Sequence, residues 1–129
     1  MIHNLLMVAA GGAIGASMRF MTGHWVMRLI GPGFPWGTMT VNILGSLIMG
    51  VIAVVLMEKF PGSWGRWAPF AMTGVLGGFT TFSAFSLDAF TLYERGRYVA
   101  AAAYVGGSVA LSIAALLIGF FVARAVLAP

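Results

Sequence analysis

Charged residues divide this sequence into long apolar stretches. Residues 36–57, 67–87 and 98–123 carry no Asp, Glu, Lys or Arg, and a fourth stretch from 4 to about 30 is interrupted by Arg19 and His24. Each is long enough to cross a bilayer as a helix, which needs about 20 apolar residues. The connections are short: GPGFP at 31–35, EKFPGSWGR at 58–66 and YERGR at 93–97. Trp36, Trp64, Trp67, Tyr93 and Tyr98 stand at the ends of the stretches, where interfacial aromatics belong. The pattern predicts an all-α membrane protein, a single domain over 1–129 with four transmembrane helices.

Within the stretches, polar positions recur at helical spacing. Thr38, Asn42 and Ser46 fall every fourth residue in the second, as do Tyr104, Ser108 and Ser112 in the fourth. Phe79, Phe82 and Phe85 recur at steps of three in the third, flanked by Ser83 and Ser86. Serine and threonine in membrane helices often bond the carbonyl four residues back or join neighbouring helices, so each row has that structural reading beside a functional one. Asn42 differs, because its amide has four hydrogen-bond positions to fill and little to fill them within its own helix. The phenylalanine row equally suits ordinary packing.

The third stretch is the least regular. Gly77-Gly78 followed by Thr80-Thr81 joins poor helix formers to β-branched residues, so the helix is expected to break between Gly77 and Thr81. Backbone groups released in hydrocarbon cost several kcal/mol each unless they are buried in protein or line a polar cavity. Released carbonyls are hard oxygen ligands for an alkali cation, and broken helices near the midplane commonly bind ions. The alternative is a glycine-bearing helix packed closely on its neighbour. A lining of amide, hydroxyls, backbone N–H groups and positive aromatic edges suits an anion, and neutral donors let the ion leave again. Asp88, near the end of the stretch, reads as an interfacial, solvated carboxylate.

Composition narrows the class. Hydrophobic residues make up 60% and charged residues 8%, against about 25% charged in soluble domains, so there is too little charge to cover a water-soluble surface. The formal +4 comes from seven Lys and Arg scattered between apolar runs, with no basic stripe for nucleic-acid phosphates. The absence of cysteine excludes disulfides and thiolate sites, and His3 and His24 lack metal-ligand spacing. The first stretch has no basic start and no small-residue cleavage site, so it is expected to be a retained span.

Orientation is balanced. On the side of the N-terminus fall Lys59, Arg66 and Arg124, and on the other Arg28, Arg95 and Arg97. Orientation follows a Lys/Arg excess on one side, and there is none. Either another signal decides, or the chain inserts both ways and two copies pair antiparallel. Pairs such as Gly11/Gly15, Ser46/Gly50, Gly74/Gly78, Ala103/Gly107 and Ala115/Gly119 have the spacing of close helix contacts.

Three segments together carry a resemblance: GASMRF at 15–20, WGTMTVNILGSLIMG at 36–50 and TGVLGGFTTFSAFS at 73–86. They are similar, in order, to the signature stretches of the Fluc family of fluoride channels, also called CrcB proteins. The resemblance implies a dual-topology antiparallel homodimer with two pores, multi-pass in the cell inner membrane. It would pass fluoride passively out of the cytoplasm and relieve its toxicity. It implies Asn42 as the pore amide, Phe82 and Phe85 as pore phenylalanines, and Ser108 and Ser112 as a hydroxyl track; Tyr104, from the same row of the fourth stretch, and Thr81 are expected in the fluoride pathway with them. It implies Arg19 at an aqueous entrance, and a structural sodium ion at the dimer centre held by the main-chain carbonyls of Gly77 and Thr80 from each subunit. Ala84 stands where many members have threonine.

Two other functions were open to a chain of this pattern. A proton-coupled small multidrug exporter needs a carboxylate deep in an early span, and the first two spans hold none before Glu58. A non-transporting membrane scaffold would leave Asn42 and the break without a task. No nucleophile–base pair or metal cluster suggests an enzyme.

Overall fold

The computed structural model describes residues 1–128 and contains four helical crossings. The first helix is Ile2–Ile30, closed by Gly31 at φ 101. The second runs Trp36–Val54 and continues as a widened π-helical turn over Val55–Lys59. The fourth is Tyr98–Leu127. Between them the third crossing comes in two halves. Its front half is Trp64–Ala68, a π-helical segment Pro69–Leu76 and a last turn Gly77–Phe79; its back half is Phe82–Glu94. Pro69 at the head of the π segment has no N–H to give, which favours a wider turn there.

Small residues set the contacts. A Cβ on Gly15 would stand 2.0 Å from the Val75 carbonyl oxygen, and one on Gly78 would stand 2.8 Å from that of Gly12. The first helix therefore lies backbone to backbone on the front half of the third crossing. A Cβ on Gly50 would stand 2.2 Å from the Leu116 carbonyl oxygen and one on Gly119 2.3 Å from that of Leu47, so the second helix meets the fourth in the same way. These glycines are spent on contacts within one chain, so their spacing needs no second copy to explain it.

At the ends, the Arg97 guanidinium donates to the Gly33 carbonyl, tying the 31–35 and 95–97 turns together. At the other end of the bundle, Arg124 pairs with Glu58 at 2.7 Å, joining the C-terminal ends of the second and fourth helices. The outward surface is apolar, with Phe20, Leu29, Val99 and Val126 all exposed, as expected where lipid replaces water as solvent.

The break lies later than the glycines. Gly77 is helical, with φ −62 and ψ −37, whereas Thr80 and Thr81 are extended, at φ −87, ψ 158 and φ −151, ψ 118. Both sequence readings of this segment hold, at different residues: Gly74 and Gly78 admit the first helix, and the threonines interrupt the third.

Candidate functional site

Thr81 is the pivot of the break. Its N–H donates to Asn42 Oδ1 at 2.7 Å, and its carbonyl accepts from Asn42 Nδ2 at 3.0 Å. Asn42 thus reaches from the second helix and satisfies both backbone groups of one residue. Thr81 Oγ1 in turn accepts the Ala84 N–H at 3.1 Å, capping the back half-helix. Thr80 Oγ1 donates back to the Leu76 carbonyl at 2.9 Å. Arg19 Nε donates to the Gly78 carbonyl at 3.0 Å, so the first helix also holds the front side of the break.

Beside this pivot lies a groove of about 430 Å³. Its wall brings together Asn42, Thr80, Thr81, Phe82, Phe85, Ser108 and Ser112, all singled out in the sequence, with Gly45 and Ser46 from the second helix. Among the described residues, no charged side chain lines it. The Phe82 and Phe85 rings stand 5.6 Å apart at 48°. Phe85 is 8% exposed, whereas Phe82 is 78% exposed in the single chain and projects from the open side.

Several hydroxyls in this chain bond locally, and Thr80 on the groove wall is one of them. Ser17, Thr40, Ser86 and Thr91 each donate to the carbonyl four residues back, at 2.7 to 2.9 Å. Ser108 does not: it is 3% exposed, and its Oγ has no partner among the described residues. A buried hydroxyl without a partner costs about 1–3 kcal/mol, so it marks a place where another acceptor belongs. Asn42 spends one of its two Nδ2 hydrogens on Thr81 and keeps the other. The groove therefore offers neutral donors and aromatic edges to a small acceptor, with no cation to trap it.

Three sequence expectations change. Phe79 leaves the phenylalanine row, because the break rotates it away; it is buried against Gly45 and the first helix. Tyr104 is not on the groove wall but behind it, fully buried, packed on Phe85 at 5.2 Å and on Phe34 at 5.4 Å. Its hydroxyl donates to Asp88 Oδ2 at 3.2 Å. Asp88 is accordingly a half-buried, hydrogen-bonded carboxylate on a second cleft of about 260 Å³, not a solvated one at the helix end. Gly45 was not singled out, though a Cβ there would stand 2.3 Å from the Thr80 methyl. One glycine among 18 carries no such signal in sequence.

Comparison with known proteins places the geometry. The family model described as "CrcB-like protein, Camphor Resistance (CrcB)" matches residues 6–120. A protein of Cereibacter sphaeroides named "Fluoride-specific ion channel FluC" is 61% identical over 124 residues, covering 96% of this chain and 97% of its own. Proteins with the same name from a Ruegeria species and from Rhizobium etli are 56% and 51% identical, covering 98% and 93% of this chain and 99% and 95% of their own. With a match across nearly all of its length, the four-crossing chain with its broken third span belongs to the CrcB family.

Proposed function

We propose that this chain is the subunit of a passive, fluoride-selective channel that exports fluoride from the cytoplasm, and that it is not an enzyme. The observation that carries the reading is the buried Ser108 hydroxyl, left without a partner on the wall of an uncharged groove. Fluoride is a strong hydrogen-bond acceptor small enough to take such donors. It is also a weak-acid anion: it enters cells as HF in acid surroundings and dissociates at neutral pH, so a passive path out is sufficient. Asn42, Ser108, Ser112 and the edges of Phe82 and Phe85 line the pathway in this reading, with Thr81 shaping it and Tyr104 backing it. Arg19 serves the aqueous approach.

A second copy in opposite orientation, with lipid around both, is the partner that fits. The groove is open along one side, with Phe82 projecting from it, and the balanced Lys/Arg count permits both insertions. The antiparallel dimer then holds two pores in the inner membrane. A structural sodium ion fits the break, because the Gly77 and Thr80 carbonyls lie where helical pairing is interrupted. Main-chain oxygens are suitable ligands for a hard cation. When bound there, the cation would supply positive charge at the negative C-terminal end of the front half-helix and a link between the two copies.

The test is anion efflux from sodium-containing liposomes carrying the purified protein, with a fluoride electrode and a matched chloride control. Rapid fluoride release without a proton gradient, with chloride retained, is the expected result. Retention of both ions by verified proteoliposomes would overturn the channel reading.

A further inference from the structure

The break is held open by side chains. In a continuous helix the Thr81 N–H donates to the Gly77 carbonyl and the Ala84 N–H to the Thr80 carbonyl, each four residues back. Here the first donor goes to Asn42 Oδ1 at 2.7 Å and the second to Thr81 Oγ1 at 3.1 Å. The two carbonyls released by these substitutions are those of Gly77 and Thr80, and neither accepts a backbone hydrogen bond across the break among the described residues. Two side-chain oxygens thus displace two ladder bonds, and the displaced acceptors are the pair suited to a cation.

We infer that Asn42, together with Thr81, is a positioning residue for the sodium site: the amide that lines the anion groove also keeps the Gly77 and Thr80 carbonyls out of helical pairing. This rests on the reading of those carbonyls as sodium ligands. Asn42 Oδ1 and one Nδ2 hydrogen clamp Thr81 in its extended conformation, while the second hydrogen is left for the groove. One side chain therefore links the anion path to the cation site. Without its oxygen, the Thr81 N–H is left with the Gly77 carbonyl as its helical acceptor, four residues back, and pairing them removes a ligand from the metal.

The experiment is thermal unfolding of the purified full-length protein during a sodium chloride titration, with N-methylglucamine chloride holding ionic strength constant. The midpoint of sodium stabilisation reads apparent affinity. Asn42→Ala should require about tenfold more sodium or beyond, the usual range for loss of a residue that orients metal ligands. Asn42→Asp retains an oxygen for the Thr81 N–H but turns a second oxygen, with no hydrogen to donate, toward the Thr81 carbonyl, so its sodium midpoint should fall between those of Asn42→Ala and the unsubstituted protein while its fluoride flux collapses. Thr81→Val should weaken sodium binding and Thr81→Ser should preserve it, a second pair that stands if an Asn42 variant does not fold. An unchanged midpoint in both Asn42→Ala and Thr81→Val would overturn the inference. Weakening in Thr81→Ser as large as in Thr81→Val would also overturn it, because general loosening and not carbonyl release would then be the cause. Failure of sodium to stabilise the unsubstituted protein would overturn the cation reading beneath it, and that result is separately visible because no substitution is involved.

Discussion

Replacing Gly15 with alanine puts the largest local demand on this fold. The new Cβ would lie 2.0 Å from the Val75 carbonyl oxygen, 2.8 Å from its carbon and 2.9 Å from the Phe79 nitrogen, where ordinary contact begins at 3.4 Å. All three atoms are backbone in a packed crossing, so no side-chain rotation relieves the clash, and the first helix must retreat by about 1.4 Å. Arg19 stands one turn further along that helix. Its 3.0 Å bond to the Gly78 carbonyl would open beyond hydrogen-bond reach. Overpacking of this kind costs about 1–3 kcal/mol, and loss of a charged hydrogen bond about 1.5–3 kcal/mol. Gly15→Ala should therefore destabilise the protein by about 2.5–6 kcal/mol. Gly12→Ala is the control, since nothing lies within 4 Å of its Cβ and alanine is the better helix former by about 1 kcal/mol. Reversible unfolding in mixed micelles, followed by helical circular dichroism, measures both. Indistinguishable stabilities for the two variants would refute the backbone-to-backbone contact and with it the account of the glycines.

Ser108→Ala should reduce fluoride flux in liposomes by about tenfold or more, the equivalent of one charge-assisted hydrogen bond. Its folded stability should not fall, because the hydroxyl has no partner to lose among the described residues; unchanged flux would remove Ser108 from the pathway. Tyr104→Phe keeps the stacking on Phe85 and Phe34 but deletes the bond to Asp88. It should cost about 1–2 kcal/mol in the same unfolding assay, and a cost near zero would show that this bond does not contribute. Arg124→Ala breaks an ion pair whose side chains are 47% and 38% exposed, and stability should change by less than about 1 kcal/mol; a larger loss would give that pair a structural role it does not show here.

The four crossings were legible because hydrocarbon imposes one rule everywhere along a span: no charge, and no unpaired backbone. That rule acts residue by residue, so the uncharged stretches, their aromatic ends and the irregular third span could be read directly from the sequence. Asn42 could be singled out for the same reason, since an amide in hydrocarbon requires partners from elsewhere.

What those partners are was decided only in three dimensions. The Asn42 amide meets Thr81, 39 positions away in the chain, and nothing in the local sequence specifies that distance. The break falls at Thr80-Thr81 and not at Gly77-Gly78, because a glycine in a helix either bends it or admits a neighbour. Only the approach of Gly12 and Ala16 selects the second role for Gly78. Likewise a serine carries the same hydroxyl wherever it lies. Ser17 turns its own back onto Ala13, whereas Ser108 cannot be told from it by spacing and is left free on the groove wall only by the helices packed around it. Solvent compatibility is a property of each residue, but hydrogen-bond satisfaction is a property of pairs, and the tertiary structure chooses the pairs.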